Sequence, residues 1–505
     1  MDRSEDLDYV VIGAGVSGLA FGILAAIQGK RVLIIEQHHL PGGCLTAFRS
    51  GPYTFNTSLE WTTDCAPGQA FHGLLTRLGL LEKYPFRKLR HLKTVICPQS
   101  RCTIDIPTGH NELSASLLNA FPKQREQIGR FLGDCLETAQ NGSRSKAILL
   151  RYGVKSVESM LYDYFSDRSL RHTLIGLLGH PAARAIFLMY LVGAVAADEL
   201  WFPVHGDHRR LPALMLKHFR HLGGKVALGT TVKRILTDGI GVTGIELDNA
   251  GVVSAANVVS TTDPFQLYDH LLPKESVRGS VGPKSTGGVG LSCFSLFLGL
   301  KRPVRVDRNR GALVLLASDG EYEANPLGLA GIPLRVECQS VDFPQFAPRG
   351  HATLCVWAAT PMSAFNFWGQ GREVEYSELD RSTYCAAKKH ATEAVVARLE
   401  TAFPGVREDI AVCEAATPFT YKRYTKGASG SVSGYSLGSL RYLKSRPNQT
   451  AIERLYHIGH WTTQSGISCA MLSAAHLADM LFATDSLERR DSGADGQVRQ
   501  AQRQQ

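Results

Sequence analysis

A glycine-rich hexapeptide, GAGVSG at residues 13–18, constrains the fold of this chain more than any other feature of its sequence. The apolar run at 8–12 predicts a buried parallel strand, residues 16–28 predict a helix, and residues 31–36 predict a second strand. The hexapeptide therefore forms the turn of a βαβ unit of about 30 residues.

Each glycine of this turn has its own expected role. Gly13 permits the tight turn, Gly15 lets the backbone approach a pyrophosphate, and Gly18 lets the helix pack on the strand. The N–H groups at the start of the helix then bind the phosphates. Glu36, at the end of the second strand, is placed to accept hydrogen bonds from ribose hydroxyls. These positions predict dinucleotide binding and disfavour the alternative of a purely structural turn.

Two further glycine segments favour FAD over a nicotinamide dinucleotide. Pro41, Gly42 and Gly43 follow Glu36 closely, which indicates a second close approach of the backbone to the same extended ligand. Near the other end of the sequence, a short apolar strand at 455–458 leads through a glycine-containing loop into a helix that begins near Ile467. The N-terminus of that helix would face the flavin and stabilise negative charge on it.

Composition and charge exclude several classes of protein. The chain has 505 residues, 44% hydrophobic and 20% charged, which is typical of a globular protein with two or three domains. The net charge of +9 comes without a basic stripe interleaved with aromatics, so nucleic-acid binding is not expected. A mildly basic surface and attraction to anionic lipid both stay open.

The cysteines and the first residues indicate a reducing compartment. Eleven cysteines occur singly, without a CxxC pair, so neither a disulfide framework nor a metal site is predicted. Residues 1–8 are acidic and polar and do not resemble a secretory signal. We expect a cytoplasmic protein and leave open a peripheral contact with a membrane. The apolar segment 173–197 contains His180, Pro181 and Arg184, which favour a buried or membrane-dipping helix pair over a single span.

The predicted fold class is α/β. A Rossmann-type FAD-binding domain is assembled from discontinuous segments, and a mixed domain of helices and sheet binds the substrate. The predicted segments are FAD-binding at 1–70, 211–285 and 451–484, mainly helical and substrate- or membrane-facing at 71–210, substrate-domain sheet and helix at 286–450, and a disordered tail at 485–505.

Seven segments, taken in chain order, resemble the FAD-dependent phytoene desaturase, carotenoid isomerase and retinol saturase family of amine-oxidase-like flavoproteins: 9–36, 41–43, 51–56, 224–235, 257–264, 417–424 and 455–472. The resemblance covers nearly the whole chain and implies FAD as the cofactor. Together, the glycine motifs and the resemblance give these expected cofactor-binding residues: Gly13, Ala14, Gly15, Ser17, Gly18, Glu36, Gln37, Gly42, Gly43, Val232, Gly459, Gly466 and Ile467. Because only one dinucleotide fingerprint is present, we expect no separate nicotinamide domain.

The sequence departs from the family pattern on the expected substrate side. The family often shows an acidic residue and a glycine where this chain has residues 56–58, and a pair of glycines within the stretch 203–208. Glu60 and His460 are the candidate catalytic residues, since both adjoin segments expected at the flavin. Trp61, His205, Tyr435 and Trp461 are expected to face the substrate.

These observations predict an FAD-dependent oxidoreductase that acts on C–C or C=C bonds of a long apolar polyene by desaturation, saturation or isomerisation. The electron donor or acceptor is not identified by the sequence. One alternative is a redox cyclase of polyene natural products, of the polycyclic tetramate macrolactam type. An alternative of another class is a non-catalytic lipid or prenyl carrier on the same fold, although a carrier has no need for intact Gly13, Gly15, Gly18 and Glu36.

Overall fold

A computed structural model describes residues 7–58, 60–97, 102–141, 146–180, 183–277, 289–304, 311–316, 329, 331–362, 376–435, 448–462 and 466–482. The strands are β1 (Leu7–Ile12), β2 (Val32–Glu36), β3 (Ala47–Ser50), β4 (Tyr53–Asn56), β5 (Phe86–Lys88), β6 (His91–Cys97), β7 (Cys102–Pro107), β8 (Trp201–Pro203), β9 (Lys225–Leu228), β10 (Val232–Thr237), β11 (Val242–Leu247), β12 (Val252–Ser260), β13 (Ser292–Leu300), β14 (Ala312–Leu315), β15 (Leu334–Glu337), β16 (Ala352–Thr360), β17 (Ile410–Ala416) and β18 (Leu455–His457).

The helices of the described residues are α1 (Val16–Ile27), α2 (Ala70–Arg77), α3 (His110–Ala120), α4 (Arg125–Asn141), α5 (Lys146–Tyr152), α6 (Val157–Tyr164), α7 (Arg168–Leu178), α8 (Ala185–Ala196), α9 (Arg210–His221), α10 (Pro264–Gln266), α11 (Gln339–Asp342), α12 (Arg381–Ala402), α13 (Val406–Asp409), α14 (Pro418–Thr425) and α15 (467–482). The predicted tail at 485–505 lies outside the described residues.

The first sheet gathers strands from three distant parts of the sequence. Its parallel part has the order β9-β2-β1-β12-β18, and α1 and α9 pack on the apolar strands. The predicted βαβ unit of β1, α1 and β2 is confirmed. The carboxyl ends of β1, β12 and β18 lie side by side, because Ile12 pairs with Ser260 and Ser260 pairs with His457. Open parallel sheets bind ligands at that edge.

The sequence predicts two short strands, at 252–254 and 257–260, whereas the structure has one continuous strand, β12. Its first residues pair antiparallel with β11, and the residues from Ala255 onward pair parallel with β1. One strand therefore joins the β10–β11–β12 meander to the parallel sheet, and this continuity explains why residues 252–260 contain no turn.

The second sheet has the order β17-β13-β16-β15-β14-β6-β7, and every described pairing is antiparallel except that of β14 with β6. Apolar, strand-length segments at 288–300, 313–317, 334–338 and 352–358 predict a second sheet, and residues 94–106 predict a hairpin. Both predictions are confirmed. Alternate residues of β13, such as Phe294, Leu296 and Leu298, join the core beneath α12. The residues between them point to the opposite face, toward the hairpin of β3 and β4.

Helices α3 to α8 form a separate layer with its own apolar core. The apolar segment at 173–197 divides into parts of α7 and α8, and most of α8 is buried. Gly193 of α8 lies against α4, where an added Cβ would stand 2.0 Å from the carbonyl oxygen of Cys135. Among the described residues, no helix combines the length and apolarity needed to cross a bilayer.

Candidate active site

The turn after β1 has the geometry of a phosphate cradle. Gly13 has φ +105°, and an added Cβ would stand 2.2 Å from the Thr261 hydroxyl oxygen. A Cβ on Gly18 would stand 2.1 Å from the Gly13 carbonyl oxygen, whereas a Cβ on Gly15 would meet no described atom within 4 Å. Gly15 is also the N-cap of α1 and provides no side chain to cap it. The backbone is therefore crowded by protein at Gly13 and Gly18 and open at Gly15.

Glu36 adjoins this cradle at the end of β2. One carboxylate oxygen accepts a 2.7 Å hydrogen bond from the Ala14 N–H, and the other accepts one of 2.9 Å from the His38 N–H. The Gln37 amide donates to the Tyr424 carbonyl oxygen at 3.3 Å. Val232 is buried at the start of β10. Just before it, the Thr230 N–H donates a hydrogen bond to the carbonyl oxygen of Glu36 in β2.

The second glycine segment packs directly on the first. The Gly42 N–H donates to the Ala14 carbonyl oxygen at 2.9 Å. Gly42 has φ +128° and Gly43 has φ +58°, and a Cβ on Gly43 would stand 3.4 Å from the Gly15 Cα. The second loop is therefore in van der Waals reach of the first, and Gly42 and Gly43 both have the positive φ that favours glycine.

The C-terminal glycine segment reaches the same corner. Gly459 follows β18 with φ +105°, and a Cβ there would stand 3.3 Å from the Ser17 hydroxyl oxygen. The Gly459 N–H donates to the Ser473 hydroxyl oxygen of α15 at 2.8 Å. Gly466, with φ +125°, precedes Ile467 at the start of α15, and a Cβ on it would meet no described atom within 4 Å.

These residues fit FAD. The open side of Gly15 and the uncapped start of α1 offer N–H groups for a pyrophosphate, and the carboxylate of Glu36 lies one strand away. Thr261 is a further member of this corner that the site prediction missed. It follows β12, and its hydroxyl donates to the Ile12 carbonyl oxygen at 2.9 Å beneath Gly13. Its position just after a buried strand, inside the segment 257–264 that resembles the family, is the signal of it in the sequence.

A buried charged cluster lies on the face of the second sheet opposite α12. The Lys93 ammonium donates to the Glu60 carboxylate at 2.6 Å, and the Arg335 guanidinium is 3.3 Å from the other oxygen of Glu60. The side chain of Lys93 is 2% exposed and that of Glu60 is 15% exposed. Burial lowers the pKa of Lys93, and the Glu60 carboxylate opposes that change. The two cations thus hold one oxygen each of the Glu60 carboxylate, which fixes its orientation on this face of the sheet.

Tyr435 and Trp461 form an aromatic group beside the C-terminal glycine segment. Their rings are edge to face at 5.1 Å, and the ring of Phe265 lies 6.4 Å from Tyr435 and 6.3 Å from Trp461. Both predicted substrate-facing side chains are buried. His460 adjoins them, and burial, with the nearby His457, lowers the pKa of His460 to about 4. His460 is therefore neutral at pH 7.

The two segments that depart from the family pattern contact each other. The Asn56 amide donates to the Gly206 carbonyl oxygen at 2.9 Å, and the Asn56 side-chain oxygen accepts from the His208 N–H at 3.2 Å. His208 is fully buried, and neither ring nitrogen has a hydrogen-bond partner among the described residues. Burial lowers its pKa to about 3. His205 is half-buried in the loop after β8, and Trp61 is half-buried against the helical layer.

Comparison with known proteins identifies the family. The profile of the flavin containing amine oxidoreductases matches residues 16–479. The chain belongs to this family. It is an FAD-dependent oxidoreductase, and the α/β fold class predicted from the sequence is confirmed.

Curated relatives match along most of the chain. All-trans-retinol 13,14-reductase of Danio rerio is 23% identical over 93% of this chain and 85% of its own length. Prolycopene isomerase of Daucus carota is 22% identical over 94% of this chain and 81% of its own length. All-trans-zeta-carotene desaturase of Myxococcus xanthus is 26% identical over 94% of this chain and 92% of its own length. The resemblance found in the sequence is thus confirmed.

Solved structures share the fold. Putrescine oxidase bound to putrescine has a TM-score of 0.65, with 15% identity over 95% of this chain and all of that one. A Rab GDI of Plasmodium falciparum has a TM-score of 0.54, with 10% identity over 95% and 99%. At these identities the likeness shows the fold alone.

Proposed function

We propose that this flavoenzyme acts on a C–C or C=C bond of a long apolar polyene, by desaturation, saturation or isomerisation. The observation that carries the proposal is the meeting of Gly15, Gly43 and Gly459 at one corner, in a chain whose relatives along nearly its whole length are named for retinol reduction, prolycopene isomerisation and carotene desaturation. The predicted FAD-binding residues and domain segments are part of this proposal.

Bound FAD would supply hydride acceptance or donation. The protein's residues would hold it: Gly15 and the start of α1 at the pyrophosphate, Glu36 at the adenosine ribose, and Gly466 and Ile467 at the flavin end. The aromatic group around Trp461 would exclude water from the reacting bond. Neutral His460 would donate or accept a hydrogen bond there without adding charge.

Anaerobic incubation of the purified protein with candidate polyenes tests the reaction. Bleaching of the flavin when the polyene is added indicates desaturation, and product that forms only after the flavin has been reduced indicates saturation. Turnover without net redox change indicates isomerisation. If none of a carotenoid, retinoid or polyketide-polyene series is converted under any of these conditions, the proposed substrate class is wrong.

Redox cyclisation of a polyene is the second candidate, favoured by one observation. The two segments that depart from the family pattern are joined by hydrogen bonds between Asn56 and the 203–208 loop. Both departures therefore alter the same region of the protein. A new ring in the product would support this candidate, and an exclusively acyclic product would count against it. The family assignment makes a non-catalytic lipid carrier the weaker reading.

We also propose a peripheral contact with anionic membranes through α5 and α6. Leu150 is 86% exposed, Val154 is 63% exposed and Tyr162 is 61% exposed, and the Arg171 guanidinium stands 4.0 Å from the centre of the Tyr162 ring. Exposed apolar side chains beside basic ones suit a membrane interface. Co-flotation with vesicles that contain phosphatidylserine should fall in the Leu150→Glu variant. Equal flotation of the variant would refute the contact.

A further inference from the structure

Arg335 has hydrogen-bonding capacity that no described residue uses. It lies on β15, an interior strand between β14 and β16, so its exposed part does not face a sheet edge. Its neighbours Leu334 and Val336 point into the core beneath α12, which directs Arg335 to the opposite face. The side chain is 29% exposed there, although the strand is central.

The guanidinium has one ionic partner among the described residues, a Glu60 oxygen at 3.3 Å. A guanidinium carries five N–H donors. Glu60 also pairs at 2.6 Å with Lys93 of β6, so the carboxylate that contacts Arg335 is held in place by a residue of the same sheet. The remaining donors have no described hydrogen-bond partner, and the side chain is partly exposed on this face.

On this face, apolar side chains adjoin the charged cluster of Arg335, Glu60 and Lys93. In register across the sheet, the neighbours of Arg335 are Val314 on β14 and Trp357 on β16, and Val95 follows on β6. Both Val314 and Trp357 are buried. A partly exposed guanidinium that a carboxylate orients beside apolar side chains suits a site that binds a long apolar molecule by one polar group.

The cluster also determines which polar group fits. Glu60 and Glu337, on the same face as Arg335, balance the charges of Lys93 and Arg335. The site therefore offers directed N–H donors rather than a large excess of positive charge. A planar pair of guanidinium donors matches a carboxylate or a conjugated carbonyl oxygen, and a hydrocarbon has no acceptor for them.

We propose that Arg335 binds a carbonyl-type oxygen of the substrate, so that the substrate class is an oxygenated polyene with a carboxylate or conjugated carbonyl rather than a hydrocarbon. This inference rests on the proposed function. Glu60 and Lys93 act through Arg335 as positioning residues, because they hold its guanidinium in one orientation.

Ligand binding by the holoenzyme tests this inference without reliance on turnover. Retinoic acid, which has a carboxylate, and β-carotene, which is a hydrocarbon, are titrated into the protein while tryptophan fluorescence is followed. Arg335→Met should weaken binding of retinoic acid roughly ten- to hundredfold, as for the loss of a charge-assisted hydrogen bond, and should change binding of β-carotene less than about twofold. Arg335→Lys should recover part of the loss.

Arg302→Met is the matched control, because Arg302 also pairs with a single carboxylate, that of Asp409, but lies exposed just beyond β13. It should bind both ligands as the unaltered protein does. Equal effects of Arg335→Met on the two ligands, or no effect on either, would overturn the inference and leave the proposed function standing. Loss of FAD from Arg335→Met with unchanged ligand preference would assign Arg335 to the cofactor and would also overturn it. If the unaltered holoenzyme binds neither polyene, the proposed substrate class fails together with the inference.

Discussion

A pair of alanine substitutions separates the two kinds of glycine in the turn after β1. Gly18→Ala would place a Cβ 2.1 Å from the Gly13 carbonyl oxygen and 3.2 Å from the Thr261 methyl group. The crowded atom is backbone and the contact is very short, so strand and helix must move apart, at about 2–3 kcal/mol, the upper part of the range for overpacking. The better helix propensity of alanine returns about 1 kcal/mol. We expect the apoprotein to lose about 1–2 kcal/mol of unfolding free energy.

Gly15→Ala should behave in the opposite way. Gly15 has φ −67° and ψ 171°, which any residue adopts, and its Cβ would meet no described atom within 4 Å. Alanine reduces the conformational freedom of the unfolded chain, which stabilises the folded protein by about 0.4–1 kcal/mol. Alanine is also a poorer N-cap than glycine, which destabilises the folded protein by a similar amount. The unfolding free energy should therefore change by less than about 0.5 kcal/mol. FAD affinity should fall at least about tenfold, or about 1.4 kcal/mol, because the methyl group occupies the open side of the cradle.

The assays are urea unfolding of the apoproteins and titration of each with FAD. Apoproteins are compared because bound cofactor adds its own stabilisation. The assignment of roles would be refuted if Gly15→Ala bound FAD as tightly as the unaltered protein. It would be refuted equally if Gly18→Ala unfolded at the same urea concentration as the unaltered apoprotein.

Three further outcomes follow from buried ionisable groups. The pKa of His208 is about 3 in the folded protein and about 6.5 in the unfolded chain, so protonation favours the unfolded chain and stability falls as the pH drops below about 6.5. Between pH 7 and pH 5 this lowers the unfolding free energy by about 2 kcal/mol, and urea unfolding of His208→Leu should lack that loss. The same pH dependence in the variant and the unaltered protein would contradict this prediction. Lys93→Met removes one of the two described cations that pair with the mostly buried Glu60 carboxylate and should reduce the unfolding free energy by about 3 kcal/mol, partly restored by adding Glu60→Gln. A loss below about 1 kcal/mol would show that the fold does not need the Lys93–Glu60 pair. Glu60→Gln should lower polyene turnover at least about tenfold with FAD content unchanged, and unaltered turnover would remove Glu60 from the reaction.

Local patterns in the sequence predicted most of the fold. The βαβ unit could be predicted because β1, α1 and β2 are neighbours in sequence, and the apolar, strand-length segments between 288 and 358 predicted the second sheet. Strand β12 was predicted as two pieces because its two halves serve different partners, β11 and then β1. Periodicity describes the faces of a strand and carries no information about which neighbours it will have.

The buried charged cluster of Glu60, Lys93 and Arg335 could not be predicted from the sequence. Glu60 was singled out as a candidate acid or base, but Lys93 and Arg335 are 33 and 275 residues further along the chain. Only the order of the second sheet brings β6 and β15 together, and that order depends on long-range pairing. Thr261 was missed for the same reason, since its contact with Gly13 requires β12 to lie beside β1.

The number of FAD molecules held by each chain tests the central claim most directly. The claim is that the glycine segments at 13–18, 42–43 and 459–466 together enclose one FAD. The bound oxidised flavin of the purified protein should absorb at about 450 nm, and denaturation should release one FAD per chain. A colourless protein that still binds no FAD after supplementation would contradict the account.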